Sequence, residues 1–125
     1  MANNKSVKKM TATASFLQSR DAASGTGAKA IGDTMSIPVG ATVTACITVP
    51  SVASNSSSNG ETAVITVGGV SVSAAHNQAA MAAGNVVTDA TGGVTSSAAN
   101  IGVIVGGEAF TAGAMDIIIE YYLID

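Results

Sequence analysis

Residues 114–124 read AMDIIIEYYLI. Taken alternately, Met115, Ile117, Ile119, Tyr121 and Leu123 form one row, and every member is apolar. Asp116, Ile118, Glu120, Tyr122 and Ile124 form the other row, which is mixed. A period of two is the mark of a strand with one face against a core. The same period runs through residues 42–49. Val43, Ala45, Ile47 and Val49 fall on one side, and Thr42, Thr44, Cys46 and Thr48 on the other. Threonine suits such a strand, being β-branched with a polar tip. Two stretches of this kind restrict the chain to sheet architectures.

Turn chemistry divides the rest. Pro38 and Pro50 bracket the first alternating stretch and argue against its extension into a central ladder. The Ser/Asn run of residues 51–61 reads as a surface loop. Residues 62–73, TAVITVGGVSVS, read as a hairpin. Gly68-Gly69 permits positive φ at both central positions, as a type I′ turn requires. Residues 73–85 are the one helix candidate, with Ser73 as cap, an alanine-rich middle and Gly84 as stop. An irregular crossing loop with one helical turn fits them nearly as well. Residues 86–100 read as strand, turn at Gly92-Gly93, strand. Residues 103–107, VIVGG, echo residues 65–69, ITVGG, and suggest two similar hairpins. A turn at residues 111–113 then feeds the final strand. About seven or eight short strands with glycine turns give an all-β fold, an antiparallel β-sandwich or a jelly-roll-like barrel.

With 125 residues the chain has room for one core. Charged residues make up 10% of it, against roughly 25% in ordinary domains. A surface so poor in charge tends to associate, so a homo-oligomer or a lattice neighbour is expected. The charges present are segregated. All five Lys and Arg fall in the first 29 residues, as Lys5, Lys8, Lys9, Arg20 and Lys29. Only Asp21 opposes them there. This predicts an extended basic arm over residues 1–33 and a β-sandwich body over 34–125, with those five cations as arm-contact candidates. An acidic body repels phosphate, and Phe16 is the arm's lone aromatic, so direct nucleic-acid contact is not expected. Ile118 and Tyr122 are too apolar for a solvated face. With Asp116 and Glu120 they are the subunit-interface candidates. Those two acids either meet cations from a neighbour's arm or act as edge-strand charges that oppose aggregation.

No catalytic pattern appears in the sequence. GTGAK, residues 25–29, lacks the spacing of a phosphate loop. His76 has no second histidine and no carboxylate close in sequence, which argues against a metal site. Asp33, Asp89 and Asp116 are scattered, though two could meet in space. Cys46, the single cysteine, reads as a small buried hydrophobe. No apolar run approaches roughly 18 residues, so no membrane span is expected. The basic start lacks the apolar stretch of a secretion signal. No enzyme activity, cofactor, small-molecule substrate or membrane partner is expected.

The carboxyl end carries a resemblance. GEAFTAGAMDIIIEYY, residues 107–122, resembles the closing hairpin of small β-rich virion proteins of tailed bacteriophages. In these a large apolar residue and Thr-Ala-Gly precede an alternating strand that ends near tyrosine. The Trp-free, Gly/Ala/Thr/Val-rich remainder is similar to them in composition. The resemblance implies a non-enzymatic virion protein of the capsid decoration or cement type. Such proteins are β-rich, often trimeric, and bridge neighbouring capsomers of the major capsid protein through extended termini. A tail, fibre or head-fibre component is the neighbouring alternative, and a soluble β-sandwich binding module the more distant one.

Overall fold

The computed structural model describes residues 7–94 and 98–124. In chain order the elements are β1 (Val7–Leu17), α1 (Gln18–Asp21), β2 (Gly27–Ala30), β3 (Asp33–Thr34), β4 (Ser36–Ile37), β5 (Thr42–Asn55), β6 (Thr62–Val67), β7 (Val70–Ser71), β8 (Val87–Val94), β9 (Ala99–Gly106) and β10 (Ala112–Ile124). They form two antiparallel sheets. The first has the order β3-β1-β10-β5-β8, and the second β2-β9-β6-β7, with β4 also paired to β9. The sheets stack as an open sandwich, and no barrel closes among the described residues. No described helix is long and apolar enough to cross a membrane.

The core lies between the sheets. From the first come Ala12, Ala14 and Phe16 of β1, Met115, Ile117, Ile119 and Tyr121 of β10, and Val43 and Cys46 of β5. From the second come Ala63, Ile65 and Val67 of β6 with Ile101, Val103 and Val105 of β9. Burial of this apolar surface is the main force holding the sheets together. The inward row of β10 is the one its alternation indicates, with Leu123 packed at the margin. Phe16 and Phe110 meet edge to face, centroids 5.8 Å apart, at the end of the core. Such a contact contributes about 0.5–1.5 kcal/mol beyond its area.

The described part of the segment expected as an extended arm is built into the sandwich. Val7–Leu17 pairs with nearly the whole length of β10, from Val7↔Ile124 to Leu17↔Ala114. Its sequence, VKKMTATASFL, does alternate. The inward residues are mostly alanine, however, so the apolar row carries little hydrophobic weight. Residues 18–21 form one helical turn and 27–30 a strand against β9, so the basic segment enters both sheets. Lys5 lies outside the described residues.

β5 departs from its expected faces. Thr44 is an extra residue on this strand, because Ala45 pairs Glu120 while Val43 pairs Tyr121. A bulge shifts the side-chain parity by one. Beyond it Cys46 and Thr48 point into the core, and Ile47 and Val49 point outward, half-buried. β5 also runs through Pro50 to Asn55. The proline is tolerated because β8 pairs only as far as Thr48, leaving Pro50 flanked by β10 alone in the ladder. The Ser/Asn loop therefore begins only after residue 55.

The hairpin at residues 62–73 forms as expected, with Gly68 at φ 59° and Gly69 at φ 83°. The two echoing segments are not two separate hairpins. β6 and β9 pair directly with each other, Ile65↔Val103 at the centre, and residues 107–111 cross to the first sheet. Gly92 and Gly93 lie within β8 and not at a turn. Residues 73–85 contain no helix. They form a turn-rich crossing anchored by buried Met81 and by a bridge between His76 and Ala63.

Candidate functional site

The outward face of the first sheet holds the residues singled out on β10. Cross-strand partners share a face, so the register aligns Thr13, Ile118, Ile47 and Thr88 in one row. Thr11, Glu120, Ala45 and Ala90 form the next, and Ser15, Asp116 and Val49 a third. Ile118, Ile47 and Val49 are half-buried, and Tyr122 is 37% exposed. The face is thus an apolar strip with a threonine margin. Beside Ile118 an open hollow is lined by Thr13, Ser15, Asp33, Met35 and Asp116. Asp33, Ser15 and Asp116 sit opposite one another across β3, β1 and β10.

The described cations are mostly engaged within the chain. Lys9 Nζ lies 3.7 Å from Glu120 Oε2 at the surface. Arg20 grips Asp21 through two nitrogens, at 2.8 and 2.9 Å, and also donates to the Ser15 carbonyl. The hydrogen bond with Asp21 raises the Arg20 pKa above its usual value. Burial pushes the Asp21 carboxyl up, but the Arg20 contact and the Leu17 and Gly32 amides together bring it below the usual carboxylate range. Lys29 Nζ donates to the Ser24 carbonyl at 3.0 Å. Lys8 is exposed on β1. Of the two acids on the outer face, Glu120 therefore has a cation from its own chain. The Asp116 side chain is exposed, with no hydrogen bond or ion pair to the described residues.

Two polar clusters join residues that lie far apart in the sequence. In the first, buried His76 places Nε2 2.7 Å from Asp89 Oδ2, and Nδ1 3.5 Å from Thr48 Oγ1. The order hydroxyl, imidazole, carboxylate imitates a hydrolytic triad. Its chemistry does not follow, because Thr48 is fully buried. Burial pushes the neighbouring Cys46 thiol up to about 12, with Asp89 adding to the effect, so it is a poor nucleophile. The cluster closes the polar part of the core, and no buried side-chain nitrogen or oxygen is left unpaired among the described residues. The alternation of β8 was the available signal for Asp89. The bulge at Thr44 hid the one for Thr48.

The second cluster ends the sandwich. Glu61, 1% exposed, accepts from Ser54 Oγ and Ser56 Oγ, both at 2.7 Å. Glu108 accepts at Oε1 from Ser56 Oγ (2.8 Å), Ser58 N (3.1 Å) and Gly60 N (2.7 Å), and at Oε2 from Ser57 Oγ (3.1 Å). The Gly60 amide and the Ser56 hydroxyl are the main forces drawing the Glu108 carboxyl down to about 2. Burial pushes Glu61 up, yet the Ser56 and Ser54 hydroxyls bring it below its usual value. The approach needs Gly107 at φ 71°, where a Cβ would lie 2.1 Å from the Gly60 carbonyl oxygen. A run of serines just before a glutamate was the signal in the sequence.

Fold and surface together define an open antiparallel β-sandwich with an apolar outer face and no accessible catalytic constellation among the described residues. No family model matches the chain, and no curated protein matches its sequence. Solved structures do match its fold. One is a chain from the acidic stable capsid structure of Helicobacter pylori bacteriophage KHP30, with 13% identity and a TM-score of 0.64. That match covers 97% of this chain and 96% of the other. Another is a chain from the capsid asymmetric unit of cyanophage Pam1, with 19% identity and a TM-score of 0.59 over 98% of this chain and 89% of that one.

Proposed function

We propose that this chain is a non-enzymatic structural protein of a bacteriophage virion, a capsid decoration or cement protein that binds assembled capsid subunits. The observation that carries this reading is the end-to-end match of the sandwich to chains of two phage capsid structures. The apolar strip supports it, because a fixed neighbour on Ile118, Ile47, Val49 and Tyr122 would cover surface that water covers poorly. Asp116 contributes an unengaged charge beside it. The chain associates as a homo-oligomer, with a trimer as the working state, and the major capsid protein or another virion subunit is its partner.

The mechanism is linkage. A protein that binds assembled and not free capsomers stabilises the shell by mass action. Weak contacts repeated within one oligomer raise effective concentration and so overall avidity. Mass spectrometry of purified particles of the phage that encodes this chain tests the proposal. Stoichiometric presence supports it. Absence from particles, with the chain abundant in the infected cell, rejects it in favour of a soluble binding module.

A further inference from the structure

The end cluster brings together two carboxylates from different parts of the chain. Glu61 immediately precedes β6, and Glu108 sits on the crossing from β9 to β10. Between them Ser56 Oγ lies 2.7 Å from Glu61 Oε1 and 2.8 Å from Glu108 Oε1. A hydroxyl has one hydrogen, so the two acids compete for it. Glu61 retains the Ser54 hydroxyl. Glu108 retains two backbone amides and the Ser57 hydroxyl, all from loop 56–60.

The loop has little else to hold it. Residues 57–60 are exposed, and Asn59 is left-handed at φ 60°. The Gln78 side chain reaches Asn59 Oδ1 at 3.1 Å from the crossing segment. Ordering such a loop costs conformational entropy that only polar contacts offset here. The contacts to Glu108 are charge-assisted, roughly twice as strong as neutral ones. Protonation removes that assistance and puts a hydrogen on an oxygen already facing donors. Among the described residues, the other groups facing the cluster are neutral: Ser54 and Asn55 from β5, and Gln78 from the crossing.

We propose that Glu108 is a proton-operated latch: ionised, it holds loop 56–60 closed on the 107–111 crossing, and protonated, it releases the loop while the sandwich stays folded. This end of the molecule is then ordered near neutrality and loosened in strong acid, independently of the core.

The test is nitrogen-15 relaxation on the full chain, titrated from neutral to strongly acidic pH. In the unaltered protein the Ser58 and Gly60 amides should be as rigid as those of β10 at neutrality. In acid their order parameters should fall below about 0.6 while β10 stays near about 0.85. The midpoint should lie near the Glu108 value of about 2. Glu108→Gln, a neutral isostere, should give a loop already loose at neutrality and indifferent to pH. Glu61→Gln should leave the acid transition of Ser58 and Gly60 in place. Three results overturn the proposal: a loop that stays rigid in acid, a Glu108→Gln loop as rigid as the original, or loop and β10 losing order together. If Glu108→Gln does not fold, the titration of the unaltered chain decides alone.

Discussion

Ile117 and Ile118 are adjacent on β10 but face opposite ways, and truncating each should separate folding from assembly. Ile117 is fully buried between Ala14 of β1 and Thr48 of β5. Its neighbours in the ladder are small and held by hydrogen bonds, so the site has little freedom to collapse. Ile117→Ala should therefore fall in the range of about 2–5 kcal/mol for such truncations. That is a large share of the roughly 5–15 kcal/mol available to a domain. Ile118 is half-exposed on the outer face, so Ile118→Ala removes less buried surface and should cost about 1 kcal/mol or less. Urea unfolding followed by circular dichroism measures both, with m unchanged if the unfolded state is the same. The order should reverse in particle binding, where Ile118→Ala is the damaging change. Equal stability losses for the two variants, or Ile117→Ala costing under about 1 kcal/mol, would refute the assignment of faces.

Further outcomes follow from the polar clusters and the turn. Asp89→Ala leaves buried His76 without its 2.7 Å partner and should destabilise by about 1–3 kcal/mol, read as a lower urea midpoint. Asp21, Glu61 and Glu108 all have carboxyls lowered on folding, so their contribution is complete above the ordinary carboxylate range and fades as pH falls through the folded values. Thermal melts should accordingly drop between about pH 5 and about pH 2, and the drop should shrink in Glu108→Gln. Cys46 should resist alkylation in the native protein and react once unfolded, since its thiol is fully buried. Gly69→Val, at φ 83°, should cost roughly 1–2 kcal/mol through backbone strain in an otherwise open site.

What the sequence made legible follows from side-chain size. β10 announces its inward row because Met, Ile and Tyr contrast sharply with Asp and Glu. The Gly68-Gly69 turn is legible because only glycine enters positive φ twice without strain. β1 has the same period, but Ala12 and Ala14 give it almost no amplitude, and its lysines suggested a separate arm. The inward row of β5 differs from its simple alternation because a bulge carries no residue signature when the flanking residues are Thr, Val and Ala. His76 and Asp89, and likewise Glu61 and Glu108, are brought together by strand pairing and by the crossing between sheets. Separations of that kind leave no local spacing to read.

The charges on the outer face give an unequal prediction for assembly. Glu120 already has Lys9 at 3.7 Å in the same chain, and both are partly solvated. Neutralising it as Glu120→Gln removes an exposed pair of about 0–1 kcal/mol and leaves Lys9 hydrated, so particle binding should barely change. Asp116 is free to meet a cation on a neighbour. Asp116→Asn should weaken binding by up to about fivefold per site at low salt, and much less at high salt, where screening has already removed the attraction. In an oligomer that binds through several sites together, modest losses multiply, so the intact assembly amplifies what one site shows weakly. Ile118→Ala should weaken binding at every salt concentration, because apolar contact is not screened. If Glu120→Gln and Asp116→Asn act alike, or if salt leaves the Asp116 effect unchanged, the neighbour does not place a cation on this face.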